Sequence, residues 1–152
     1  LGFRQMNYAI IPIIKCVAIM AVKNYKHNHL GSKNESYLPG LIILEPHISK
    51  ILNGQKTVEL RKTNHKKHIG KRIALLEGGK IRGYATLDSV KEYPDKKSIL
   101  KQQKKHRASS WLNENDDFSY RYGYILKDVE KLENPKTYDH PQGAQIWVRI
   151  QK

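Results

Sequence analysis

Two apolar segments, Ile73 to Leu76 and Ile81 to Leu87, stand on either side of Gly78-Gly79. Paired glycines supply the positive φ angles of a tight antiparallel turn, so the segments read as the two strands of a hairpin. This pairing constrains the whole chain, because strands joined directly do not build the strand–helix–strand repeats of a doubly wound nucleotide-binding fold. No Gly-rich phosphate loop follows any strand either, since the patterns GxGxxG and GxxxxGK(S/T) are absent. Gly83, inside the second strand, marks a bulge or a bend.

The remaining elements are short. Leu41-Ile42-Ile43-Leu44, bounded by Gly40 and Pro46, suits a buried strand. Pro46 suits the first turn of a helix, whose Ile48, Ile51 and Leu52 form one apolar face and whose end Gly54 can make in the left-handed conformation. Thr57 to Arg61 alternates, which predicts Val58 and Leu60 toward the core and Thr57, Glu59 and Arg61 on the opposite face. Lys96 to His106 reads as a basic surface helix, followed by a polar loop through Asn113 to Asp117. Tyr122 to Leu126 and Gln145 to Ile150 read as strands, with Ile146, Val148 and Ile150 on one face and Trp147 on the other. About six short strands with two or three short helices make an α+β fold, a small mixed sheet or barrel decorated by helices.

The domain is expected over residues 40–152, with an N-terminal extension and linker over residues 1–39. Lys23 to Pro39 has the polar, Gly- and Ser-containing composition of a linker. Tyr8 to Val22 is apolar, but it is short of the ~20 residues that a crossing helix needs and contains Pro12 and Lys15, so no membrane span is expected. Arg4 followed by this run resembles a weak signal peptide interrupted by Lys15. Another reading takes part of the segment as sequence upstream of the true start, since Leu1 opens the chain and Met6 and Met20 follow. Cys16 is the single cysteine, which excludes an intrachain disulfide and a cysteine-built zinc site and fits a cytoplasmic location.

Lys and Arg number 28 against 14 Asp and Glu, a formal charge of +14, which favours a partner that carries phosphates. The densest group of chemistry-bearing residues is Gly54-Gln55-Lys56-Thr57-Val58-Glu59-Leu60-Arg61, where a helix end runs into a strand. Lys56 stands at the junction, and Glu59 and Arg61 project together. Taken alone this pattern also fits a surface ion-pair cluster worth about 0–1 kcal/mol.

The run from Glu45 to Arg61 resembles the signature of the ASCH domain, an RNA-associated relative of PUA domains: a strand, a Pro-led helix, then G-x-K-x-x-E-x-R. The resemblance continues through Gly70-Lys71-Arg72-Ile73-Ala74-Leu75, the hairpin, Tyr124-Ile125-Leu126, Pro135 and Gly143-Ala144-Gln145-Ile146-Trp147-Val148. It implies a PUA-like β-barrel with a cleft lined by Lys56, Glu59 and Arg61, and RNA or a nucleotide as partner. Some small members of the family hydrolyse the acetyl amide of N4-acetylcytidine with a G-x-K-x-x-T-x-R motif and a separate Glu. Lys56 and Arg61 match that lysine and arginine, whereas Glu59 stands where the threonine would be. If the chain is an enzyme, Lys56 is the candidate base and Glu59 its proton partner, with an acylated nucleoside or RNA as substrate. A lysine acts so only when its pKa falls, which Arg61 favours and Glu59 opposes.

Further ligand-binding candidates come from two basic stretches, Lys62, Lys66, Lys67 and Lys71 in one and Lys105, His106 and Arg107 in the other. Tyr124 and Trp147 are candidate stacking surfaces, Trp111 being another, although strand aromatics also fill cores. His65 and His68 are three apart, but no carboxylate or cysteine stands at metalloenzyme spacing and HExxH is absent, so no metal is expected. No cofactor is expected. Asp139-His140 could orient a base or serve a turn. No G-x-S-x-G nucleophile motif occurs. A protein-interaction module within a larger assembly is the reading from a third class.

Overall fold

The computed structural model describes residues 36–114 and 118–152. The expectations for an N-terminal extension, a signal-like run and Cys16 therefore lie outside the described residues up to residue 35. Among the described residues no helix is long and apolar enough to cross a membrane.

In chain order the elements are β1 (Tyr37–Ile42), α1 (His47–Leu52), β2 (Val58–Arg61), β3 (Arg72–Glu77), β4 (Lys80–Glu92), α2 (Lys96–Leu100), α3 (Gln103–His106), α4 (Ser109–Glu114), β5 (Tyr122–Thr137) and β6 (Trp147–Gln151). The strands form one six-stranded mixed sheet ordered β2-β5-β4-β3-β1-β6. Only β1 and β3 are parallel; the other neighbours are antiparallel. The pairings run as an open series from β2 to β6, so the hydrogen bonding does not itself close the expected barrel. The sheet is nonetheless curled, because the Arg61 guanidinium on edge strand β2 donates to the Ile42 carbonyl at the end of β1, at 2.5 Å. A seam is left between β2 and the β1–β6 pair.

The hairpin forms where its glycines predict it: Gly78 and Gly79 have φ of 56° and 72°, and Leu76 pairs with Ile81. Several strands depart from the lengths their apolar residues suggest. β1 starts at Tyr37 because Tyr37 to Leu41 pair with β6, and Ile43 and Leu44 fall beyond it. β5 runs on to Thr137, pairing with β4 through residues such as Glu130, Lys131 and Lys136 that carry no apolar signal. Pro46 precedes α1 rather than opening it, after a cis Glu45–Pro46 bond. The expected helix over Lys96 to His106 is broken into α2 and α3 by a turn, and α4, which buries Leu112, extends to Glu114 within the expected polar loop, whose residues 115–117 lie outside the described residues.

Among the described residues, three apolar clusters hold the fold. The main one joins Ile48, Ile51 and Leu52 of α1 to Leu41, Ile73, Leu75, Leu87, Tyr124 and Leu126 of the sheet, so α1 packs against these strands. A second places Val58 and Leu60 of β2 beneath Ile99, Ala108 and Leu112 of the helical segment. A third gathers Ala74, Leu76, Ile81 and Val148. Gly83 sits at the shifts of register on both sides of β4, and a Cβ there would lie 2.4 Å from the Glu130 carbonyl oxygen and 2.5 Å from Leu52.

Candidate functional site

Lys56 is delivered by the end of α1. Gly54, at φ 74°, reverses the chain, and the amides of Gln55 and Lys56 both donate to the Lys50 carbonyl. Thr57 is then fixed from two sides: its amide donates to the Lys105 carbonyl and its own carbonyl accepts from the Leu126 amide. The turn and these bonds carry the Lys56 side chain inward, where it is 1 % exposed.

The polar face of β2 also turns inward. Glu59 pairs directly with Tyr124, and directly opposed residues of an antiparallel pair share a face. Tyr124 belongs to the main core, so Glu59 points to that side and is 7 % exposed. The expectation that only Val58 and Leu60 would be buried is corrected here: α2 to α4 cover their face, and the curl of the sheet encloses the other.

Three ionisable groups meet in this enclosure. Lys56 Nζ lies 3.1 Å from Glu59 Oε2, and Arg61 Nη2 lies 3.2 Å from Glu59 Oε1. Lys56 Nζ also donates to the His106 carbonyl at 2.5 Å. Burial pulls the Lys56 pKa below the ordinary lysine value, and Arg61 adds to the effect while Glu59 opposes it. An amine nitrogen has three positions besides its carbon, and two of them are taken by Glu59 and His106. The third is left to the pocket, as a proton when the group is charged and as a lone pair when it is neutral.

The pocket has a volume of about 530 Å³ and occupies the seam. Lys56, Glu59, Arg61, Lys62 and His47 supply its charged and polar wall. Trp111 and Tyr120 supply rings, 4.7 Å apart in an edge-to-face contact, with Lys62 Nζ 4.9 Å above Tyr120. Ile42, Leu44, Leu60, Ala108 and Ile146 make the apolar part, Gln145 completes the lining, and Leu44 is 72 % exposed. Such a hollow fits a planar ring with a polar edge. His47 has a lowered pKa, chiefly from burial and secondly from Lys56, so its imidazole is neutral at pH 7.

Of the sequence-derived candidates, the structure brings Lys56, Glu59, Arg61, Lys62 and Trp111 together. The others lie elsewhere. His106 is fully buried, its ring bonded to the Ile99 carbonyl and to the Ala108 amide, and it serves the site through its carbonyl instead. Tyr124 is fully buried, its hydroxyl donating to the Thr63 carbonyl at 2.9 Å. Trp147 stacks on His65 at 5.1 Å and meets the His68 ring at a tilt at 4.6 Å, which pins the β2–β3 loop across the seam to β6. Lys66 and Lys67 are exposed on that loop, and Lys71 is half-buried where its carbonyl accepts from Leu87. Lys105 and Arg107 are exposed beside Gln55 and Thr57, with Arg107 Nε donating to the Gln55 carbonyl at 3.2 Å. Among the described residues no three His, Cys, Asp or Glu side chains gather as a metal site. Asp139-His140 stands outside the pocket, with Tyr138 Oη 2.7 Å from the His140 ring.

Sequence reasoning missed His47 and Tyr120 as pocket walls. His47 lies inside the Glu45–Arg61 run, two residues after its acid, which is the one local signal it gave. Tyr120 gave none, since it reaches the pocket only through the packing of the helical segment.

Comparison with known proteins supports a single family. The ASCH domain model matches residues 41–135. No curated relative matches by sequence. Among solved structures, the ASCH protein of Zymomonas mobilis superposes with a TM-score of 0.63 at 16% identity, covering 75% of this chain and 87% of that one. A serine-to-alanine mutant of the Zymomonas mobilis protein gives a TM-score of 0.62 at 15% identity, covering 78% and 91%. A tyrosine-to-phenylalanine mutant gives 0.62 at 16% identity, covering 75% and 90%. At such identities the likeness concerns the fold.

Proposed function

Given that the chain belongs to the ASCH domain family, its model matching well over half of the residues, we propose that the seam pocket binds a nucleotide of RNA. One observation carries this reading. A buried Lys56–Glu59–Arg61 cluster, net positive by one charge, forms the wall of a pocket whose other walls are the Trp111 and Tyr120 rings. Aromatic walls accept the faces of a base. Lys56 supplies a donor for the carbonyl and ring-nitrogen acceptors of its edge, and Lys62 at the rim meets phosphate. Binding of single-stranded RNA by the wild type, weakened at least tenfold in Lys56→Ala and Arg61→Ala, supports the proposal. Unchanged affinity and salt dependence in both variants contradict it.

The lowered pKa of Lys56 favours a second reading, hydrolysis of an acylated nucleoside. A neutral Lys56 amine would take a proton from water as the water attacks the acetyl carbonyl. The carbon–nitrogen bond then breaks, and the proton returns to the leaving amine, giving nucleoside and acetate. Incubation with N4-acetylcytidine tests this: cytidine released by the wild type but not by Lys56→Ala supports it, and no release discards it.

A further inference from the structure

We propose, resting on the pocket reading above, that the ligand is one nucleotide within a single RNA strand, and that the neighbouring phosphates lie on a predominantly cationic face formed by α1 and the segment 96–107. From His47 to Val58 and from Lys96 to Asn113 the chain contains no Asp or Glu. Over the same stretches Lys97, Lys101, Lys104, Lys105 and Arg107 are exposed, and Lys50 is half-buried. Two acids border these stretches, Asp95, which caps α2 through the Ser98 amide and lies within electrostatic reach of Lys97 and Lys101, and Glu45, which accepts from the Ser49 hydroxyl; elsewhere acids pair directly with the cations, Glu130 with Arg72, Glu77 with Arg82 and Asp88 with Lys127.

This face is built onto the pocket rather than merely near it. Lys50 Nζ reaches the Arg107 carbonyl at 3.5 Å and Arg107 Nε reaches the Gln55 carbonyl, so α1 and the end of α3 are tied together. The His106 carbonyl holds Lys56 Nζ, and Ala108, the second residue after it, already lines the pocket. Lys105 is three residues from Ala108, which places their Cα atoms no more than about 11 Å apart. A phosphate adjoining a nucleotide seated in the pocket falls within reach of these cations.

The other basic stretch is a poorer path. Of its lysines only Lys62 lines the pocket, and its loop is held against Trp147. A mononucleotide would use few of the cations on the α1–α3 side, whereas a strand engages them in series. The strand must be single, because a base enters the pocket only when it is unstacked.

The test measures, across a salt series, the affinity of a 12-nucleotide single-stranded RNA, the same sequence as a duplex, cytidine monophosphate, and vesicles of phosphatidylcholine and phosphatidylserine. The wild type is compared with K97Q/K101Q/K104Q, which alters exposed side chains outside the pocket. The expected result is tighter binding of the single strand than of the mononucleotide or the duplex. In the triple variant strand affinity falls on the order of tenfold, and the slope of log K against log salt becomes shallower by about 1 to 2, at roughly 0.7 per phosphate contact. Mononucleotide affinity stays unchanged. An unchanged slope with mononucleotide binding intact overturns this proposal alone, as does stronger binding to duplex or vesicles. Absence of mononucleotide binding in the wild type overturns the pocket reading and this proposal with it.

Discussion

Lys56 and Glu59, three residues apart in sequence, form an ion pair of 3.1 Å with side chains only 1 % and 9 % exposed. At that depth the pair is unlike a surface salt bridge, since each partner's charge is tolerable only because of the other. Three predictions concern the stability of the fold and one the pocket.

Glu59→Gln keeps an amide oxygen that can accept a hydrogen bond but removes the negative charge, so Lys56 and Arg61 are both left without their buried counter-charge. The expected loss is about 3 kcal/mol, measured by urea unfolding. Replacing the pair together, as Lys56→Met with Glu59→Leu, is expected to recover part of it, because the desolvation penalties of Lys56 and Glu59 disappear while Arg61 keeps only the Ile42 carbonyl. A loss under about 0.5 kcal/mol in the single variant, the range of an ordinary surface substitution, refutes the buried-pair account.

His106 sets a pH dependence. Its Nδ1 accepts from the Ala108 amide, so the folded structure selects the neutral ring with the proton on Nε2, facing the Ile99 carbonyl. Burial accordingly lowers its pKa below 6.5. Between that lowered value and 6.5 the unfolded chain binds more protons than the folded one, so stability rises with pH through this window and falls on acidification. His47 and His65 are shifted the same way, also chiefly by burial. Unfolding curves between pH 5 and 8 are expected to show the slope, and His106→Gln to flatten it in part. An equal slope in the variant means that His106 binds protons equally in the folded and unfolded states, which contradicts the account.

Gly83→Ala places a methyl group against the Glu130 carbonyl and Leu52 at distances no Cβ adopts. The strand must shift where β4 changes register, at an expected cost of about 1–3 kcal/mol. Gly79→Ala has free space around the added carbon but a φ of 72°, so it tests turn strain instead. Thermal melts of the two separate packing from backbone conformation.

Trp111→Ala removes a ring wall of the pocket that also helps cover the second apolar cluster. If the ring stacks on a base, RNA affinity falls by about 1–3 kcal/mol. Tyr124→Phe serves as the contrast: it removes the bond to Thr63 in the core, costing roughly 1 kcal/mol of stability while leaving affinity unchanged. Calorimetric titration of both variants checks the distinction.

What could be read from the sequence was local. The Gly78-Gly79 hairpin, the apolar face of α1, the turn at Gly54 and the order Lys56, Glu59, Arg61 each depend on residues within a few positions of one another, and all are found in place. The inward direction of Glu59 was not legible, because it depends on α2 to α4 covering the other face of β2. Nor was the role of His106, whose contribution is a carbonyl that every residue possesses. The extension of β5 through charged residues was invisible for a related reason: its backbone pairs with β4 while its side chains meet water.

The central claim is that a base sits between the Lys56–Glu59–Arg61 wall and the rings of Trp111 and Tyr120. Ultraviolet cross-linking of a single-stranded RNA carrying 4-thiouridine, with the modified peptides mapped by mass spectrometry, tests it most directly. The account predicts adducts on Trp111 or Tyr120 that disappear in Lys56→Ala. Adducts confined to residues outside the pocket, or undiminished in that variant, would contradict it.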